Sequence, residues 1–313
     1  MKFPHLFLTN HPKEQKEFLN LLDLTAKVHG ENRNPMGKEN VPIWDEEFFH
    51  LKNSSVWKTL PKEKQDSILV TLSQKILQEA YFIESAGMAY AGKMNLAAKT
   101  KEERAFFCFV AEEEARHLRM VESLAIFNTS LETIPSFALL IGEIIQEASK
   151  PSHLLLIQIL LEGWGLNYYK ALAKHAKDEN VANAFKGILK DEIRHHSAGV
   201  ILFASHKNSV GLSDTEISEF LGYLERIAFM VKVGPYSACE EVFRCVESPT
   251  TEMVKTFLND TDAVMVTSGK MELLGQLLGK SLPDKVVATI KAKGILKPMN
   301  ITEMTEVLSE TIF

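Results

Sequence analysis

One constellation of acids and histidines occurs twice in this chain, the second copy displaced from the first by a constant interval. The first copy is Glu84 followed by Glu113-Glu114-Ala115-Arg116-His117; the second is Glu162 followed by Asp191-Glu192-Ile193-Arg194-His195. The lone glutamate stands equally far ahead of the Glu-x-x-His unit in both copies, from Glu84 to Glu114 and from Glu162 to Glu192. A Glu and a His three positions apart lie on one helix face, a turn from each other. The positions around them at helical period are apolar: Phe107, Val110, Val121 and Leu124 in the first copy, and Phe185, Ile188, Gly199 and Leu202 in the second. The acids and imidazoles thus occupy places that core residues would fill. Ionised carboxylates on such a face cost several kcal/mol each unless compensated, and a metal cation is the economical compensation.

The shared interval constrains the fold. A turn centred near Lys99 stands midway between Glu84 and Glu114, and a turn near Lys177 stands midway between Glu162 and Glu192. In an antiparallel helical hairpin such pairs stand at one height. Each hairpin therefore brings two Glu and one His to one level, and two hairpins supply six ligands, as in a two-metal site within a four-helix bundle. Gly87 and Gly165, Tyr90 and Tyr168, Arg116 and Arg194, and Glu113 and Asp191 share the displacement between the copies. It selects Glu84 over Glu79, whose counterpart is Ile157, and His195 over His196, whose counterpart is Leu118.

The rest of the chain also reads as helix, so an all-α fold is expected, with the bundle at 60–205. Its helices run from about Leu60 to Ala98, from a Thr100–Glu103 capping box to about Phe127, from Pro151 to about Ala176, and from about Val181 to Ser205. Pro135 and Pro151 bracket a shorter helix. Residues 1–59 form an N-terminal cap, with a helix near Glu14–Val28 and a loop from Gly30 to Pro42. Residues 206–313 form a helical extension that begins at the cap Ser213-Asp214-Thr215-Glu216 and is expected to pack on the bundle. The 313 residues carry a net charge of −6, with 45% hydrophobic and 24% charged residues. That composition is globular, and it disfavours nucleic acid as a partner. No apolar run reaches the roughly 20 residues that span a bilayer, and no signal segment follows Met1, so neither membrane attachment nor export is expected. Cys108, Cys239 and Cys245 contain no Cys-x-x-Cys, which agrees with a cytoplasmic location and a metal site without thiolate.

Several residues carry two readings. Arg116 and Arg194 with Glu113 and Asp191 either form surface ion pairs or stand behind the ligands and orient the histidines. Gly87 and Gly165 either permit close helix packing or leave room beside the metals. Tyr90 and Tyr168 read as core residues, and Trp164 as packing. His153, His175, His196 and His206 read as surface or cap residues, with His196 the candidate for an additional ligand. Phe229, Met230 and Phe243 read either as an apolar pocket wall or as ordinary core.

The paired motifs Glu-Glu-Ala-Arg-His and Asp-Glu-Ile-Arg-His, with their upstream glutamates, resemble the ferritin-like di-iron carboxylate superfamily over roughly residues 60–205, above all its oxygenase and desaturase branches. The resemblance implies a ferritin-like four-helix bundle with extra N- and C-terminal helices. It implies that Glu84, Glu114 and His117 bind one iron and Glu162, Glu192 and His195 the other, with Mn/Fe as a variant. It further implies that Asp191 supports His117 and Glu113 supports His195. The subfamilies diverge here. Val121 stands where the ribonucleotide reductase small subunit has its radical tyrosine. Gly165-Leu166 stands where many hydroxylases and desaturases have threonine, and Ile188 where arylamine N-oxygenases have a third histidine. The resemblance implies an enzyme that activates dioxygen to oxidise a small or acyl-type organic substrate by hydroxylation, desaturation, N-oxygenation or oxidative C–C cleavage. An electron donor such as a reductase or ferredoxin and a homodimeric state would go with it. The alternative is a ferroxidase or iron-handling protein without an organic substrate. Oxygen and imidazole donors without thiolate suit iron or manganese.

Overall fold

The computed structural model describes residues 18, 21, 22, 24, 25, 41–124, 134–209, 211–234 and 236–313. The expected helix near Glu14–Val28 lies almost wholly outside the described residues, as do most of the Gly30–Pro42 loop and the end of the second helix near Phe127. The described residues are helical, with no strand among them. They are α1 (Ser55–Thr59), α2 (Lys62–Ala97), α3 (Lys101–Leu124), α4 (Ser136–Glu147), α5 (Lys150–His153), a π-helical stretch (Leu154–Leu161), α6 (Glu162–His175), α7 (Glu179–Ser209), α8 (Asp214–Lys232), α9 (Tyr236–Phe243), α10 (Thr251–Asp260), α11 (Ala263–Gly279), α12 (Asp284–Ala292) and α13 (Ile301–Ile312).

The chain forms two compact units. One comprises Met1–Glu39 and Gln74–Glu147, the other Asn40–Ser73 and Ala148–Phe313. The first unit holds most of α2 together with α3 and α4. Its hairpin turn is made by Thr100, whose Oγ1 accepts from Glu103 N at 3.1 Å, while Glu103 Oε2 accepts from Lys99 N at 3.0 Å. The glutamate thus reaches one residue further back than a capping box requires. Across the hairpin Tyr90 meets Phe107 edge to face at 6.2 Å, and Asn95 donates to the Arg104 carbonyl at 3.0 Å. Lys93 donates to the carbonyls of Ile145 and Gln146, two of the acceptors that the end of α4 leaves unused.

The second unit holds the other hairpin, α6 and α7. Asp178 Oδ1 caps α7 by accepting from Asn180 N at 2.8 Å and Val181 N at 3.4 Å. Tyr169 stacks on Phe185 at 5.7 Å; the two are equidistant along the chain from Lys177, so the hairpin has the expected register. The match of Tyr90 to Tyr168 is displaced by one: Tyr169 is the buried core tyrosine and Tyr168 is half-buried. The segment 41–51 clamps this hairpin. Trp44, fully buried, donates its indole N–H to the Leu172 carbonyl at 3.0 Å and packs on Phe185, and Lys177 N donates to the Ile43 carbonyl at 3.0 Å.

The expected cap at Ser213 is a full capping box with Glu216 at the head of α8. Helices α8 and α11 pack on the π-helical stretch, and α11 also packs on α6 of the second hairpin. A separate apolar cluster joins α1, the first turns of α2, α9, α10 and α13 through Trp57, Leu69, Cys239, Phe243, Phe257 and Met304. Phe243 is therefore core, while Phe229 is exposed. No helix among the described residues is long and apolar enough to cross a membrane.

Replacing Trp44 with Ala removes the largest buried side chain of the clamp and leaves the Leu172 carbonyl without its indole donor. The expected loss is about 3–5 kcal/mol of stability, seen as a lower urea midpoint; an unchanged midpoint would show that the clamp is not structural.

Candidate metal centre

Each hairpin assembles one triad. In the first unit Glu84 comes from α2, and Glu114 and His117 come from α3. The buried residues of α3 are Phe107, Val110, Glu114, His117, Val121 and Leu124, the apolar stripe expected from the sequence with the two polar residues inside it. Glu84, Glu114 and His117 are only 2%, 3% and 0% exposed, too little for water to solvate their charges. His117 Nδ1 lies 3.2 Å from Glu84 Oε2 and 3.8 Å from Glu114 Oε2. Burial pushes the Glu84 carboxyl up from 4.5 to about 7; the neighbouring Glu114 adds to the rise and His117 opposes it.

In the second unit Glu162 opens α6, and Glu192 and His195 lie on α7. Glu192 and His195 are buried, and the Glu162 side chain is 11% exposed. His195 Nδ1 stands 3.7 Å from Glu162 Oε2 and 3.9 Å from Glu192 Oε1, beyond hydrogen-bonding reach. In both triads the donor atoms lie within 4.8 Å of one another. Ligands about 2 Å from a shared ion stand roughly 3–4 Å apart, so these spacings match the edges of a coordination sphere. All six expected ligands are thus gathered, three in each hairpin.

The donor set fits a cation. Two carboxyls and one imidazole per triad, mostly buried in an apolar helix face, place negative charge where water cannot solvate it and a cation can. Iron and manganese accept such oxygen and nitrogen donors, and nothing in either triad is soft enough to favour copper(I).

Gly87 resolves one of the alternative readings. A Cβ at Gly87 would stand 2.5 Å from Glu114 Oε2 and 2.7 Å from Glu114 Cδ, so the glycine makes the space that the Glu114 carboxylate occupies. At Gly165 a Cβ would stand 3.7 Å from Glu192 Oε2, an ordinary contact. The two matched glycines face matched glutamates, but only the first is required sterically.

The residues behind the ligands divide similarly. Asp191 is buried and accepts from Arg194 of its own helix, whose side chain is half exposed. This pair is anchored beneath the surface at its acid end, one turn from His195. Glu113 and Arg116 are half-buried on α3. His196 is held away from the triad: its Nδ1 lies 3.0 Å from the Ile159 carbonyl of the π-helical stretch. His153 is buried, not on the surface as its sequence context implies, because the start of this helix is covered by α8. There Glu219 accepts from Ser149 N at 3.0 Å and Ser149 Oγ at 2.7 Å. Burial raises the Glu219 carboxyl, but hydrogen bonds from Ser152 and Ser149 outweigh it and hold it below the usual range.

The third helix departs most from expectation. Its approach to Glu162 is eight π-helical residues, Leu-Leu-Leu-Ile-Gln-Ile-Leu-Leu, rather than continuous α-helix. π-turns are rare and concentrate at functional sites. Gly199 on α7 admits the wider turn, since a Cβ there would stand 2.7 Å from Gln158 Cβ and 3.1 Å from its backbone carbon. The sequence signal for this is weak: an unbroken apolar run has no polar positions to reveal its helical phase.

No family model, curated protein or solved structure matches the chain.

Two outcomes are expected. Gly87→Ala forces the Glu114 carboxylate to move and should weaken iron binding about tenfold or more by titration, whereas Gly165→Ala should change it little. Equal effects would remove the assigned role of Gly87. In protein stripped of metal, Glu84 is favoured in its protonated form. The stability this contributes is present below about pH 4.5 and is lost as pH rises through about 7. The melting temperature of metal-free protein should therefore fall over that window relative to Glu84→Gln, and parallel curves would show that Glu84 does not titrate there.

Proposed function

We propose that each triad holds an iron, that the fold is a ferritin-like four-helix bundle, and that the protein is a non-haem di-iron oxidoreductase. Its reaction is the dioxygen-dependent oxidation of a small or acyl-type organic substrate. One observation carries the reading: each hairpin independently brings two glutamates and a histidine together on buried apolar faces, so the half-site is built twice. Duplicate half-sites at a common sequence offset are the arrangement from which bundle proteins make symmetric carboxylate-bridged centres.

In this reading Glu84, Glu114 and His117 hold one metal and Glu162, Glu192 and His195 the other. Two bound ferrous ions would together supply electrons to dioxygen, with an external donor restoring them. The chain's own contribution is positional. Burial of both histidines fixes the imidazoles against their carboxylates and keeps bulk water from the donor atoms. The partly accessible Glu162 marks the side on which a carboxylate can shift without breaking a packed core. Asp191, tied to Arg194, steadies the helix turn that presents His195.

Protein expressed with iron should hold two irons per chain by elemental analysis, and Glu114→Ala or His195→Ala should lose at least one. Absence of metal from the wild-type protein would sink the reading. Adding dioxygen to the ferrous protein with candidate fatty acids, aldehydes and amines then separates the enzyme from the alternative. Substrate-dependent product formation supports an oxygenase. Iron oxidation that continues well beyond two equivalents per chain, with no organic product, identifies a ferroxidase.

A further inference from the structure

A cleft of about 580 Å³ opens between α11, α12 and the segment after α12, within the second unit. It contains none of the six carboxylate and histidine residues of the triads, so a ligand bound there is independent of the di-iron reading. Its wall is largely apolar, built from Met271, Leu278, Leu282, Ile290 and Leu296. Its volume lies in the range of small-ligand sites, about 300–1,000 Å³.

The far side of the cleft is held in place. α12 ends in a Schellman motif: Gly294, at φ +63°, donates to the Lys291 carbonyl at 3.1 Å, and Ile295 N donates to the Ile290 carbonyl at 3.2 Å. This reversal carries Leu296 and Lys297 into the wall. Lys232 of α8 donates to the Ile295 carbonyl at 3.0 Å, and Lys207 of α7 donates to the Ser281 carbonyl at 3.2 Å. The segment bounding the cleft is thus tied at both ends to other helices. On the opposite side of α11, Leu277 packs so closely on Gly163 that a Cβ there would stand 2.7 Å from Leu277 Cδ2.

Charge gives the cleft its polarity. Residues 279–298 contain Lys280, Lys285, Lys291, Lys293 and Lys297 against one acid, Asp284, in a chain whose net charge is −6. Lys285 and Lys293 are paired, with Asp214 at 3.6 Å and Glu225 at 3.7 Å. The ammonium groups of Lys291 and Lys297, which line the cleft, enter no ion pair or hydrogen bond among the described residues. The wall has one acid, Glu272, which accepts from Gln276 at 3.1 Å. Two lysines against one glutamate leave the lining net positive over an apolar floor.

We propose that this cleft binds a long-chain carboxylate, its hydrocarbon chain lying on Met271, Leu278 and Ile290 and its carboxylate meeting Lys291 and Lys297. The chain removes apolar surface from water, and the two ammonium groups accept the headgroup at the solvent boundary, where lysine keeps its charge hydrated.

The experiment uses the full-length chain and oleate below its micelle-forming concentration, read by isothermal titration calorimetry. Oleate should bind saturably at one per chain, and oleyl alcohol should bind at least tenfold more weakly. Lys291→Glu with Lys297→Glu should lower oleate affinity at least tenfold and leave the alcohol unchanged; both lysines are exposed, so folding is preserved. Gly279→Leu fills the cleft, with nothing within 4 Å of the new Cβ, and should block both ligands. No saturable oleate binding, or oleate affinity unchanged by the lysine reversals or by Gly279→Leu, overturns the proposal. So does binding to anionic phospholipid vesicles without uptake of monomeric oleate, which would assign the lysines to a membrane surface.

Discussion

Carboxyl groups enclosed in apolar helix faces dominate the physics of this protein. Water solvates an ionised carboxylate far better than a helix interface does, so each buried glutamate raises the energy of the fold unless a proton or a cation meets it. Without metal, the protein's recourse is protonation, visible in the raised Glu84 carboxyl beside His117 and Glu114. With metal, the same groups become ligands. A cation bound there would relieve that cost, and its binding would then be coupled to stability.

The surrounding packing serves that burial. Tyr90 against Phe107 and Tyr169 against Phe185 hold the two hairpins in register close to their ligand levels. Trp44 closes the second hairpin from outside, with its indole N–H on the Leu172 carbonyl. Gly87 yields its side-chain volume to the Glu114 carboxylate, and Gly199 yields its own to the π-helical stretch. In each case a small residue stands where the opposing group is large, and the clearance falls short of what a methyl group needs.

The hairpins were legible because ligand spacing and helical period are both local quantities. The stripe Phe107, Val110, Glu114, His117, Val121, Leu124 is apolar at helical period, and it is the buried face of α3. The caps at Thr100 and Ser213 were readable for the same reason: a cap needs only a few consecutive residues. The π-helical approach to Glu162 was not readable, since a nearly uniform apolar run looks alike in α and π geometry. Nor was the burial of His153, which depends on α8 folding back with Glu219 from much later in the chain.

The sequence by itself determined the helical class, the two hairpin turns and the two sets of glutamate and histidine residues placed to meet in each hairpin, because periodicity and turn position are encoded within short windows. Tertiary structure alone decided that Gly87 and not Gly165 is sterically required, that Tyr169 rather than Tyr168 fills the core, and that His196 turns to a backbone carbonyl. It also decided that Phe243 enters the core while Phe229 stays exposed, and that the C-terminal helices leave a lysine-edged cleft. These outcomes depend on which side chains from distant segments compete for the same volume, and close packing resolves that competition only when all the segments are in place.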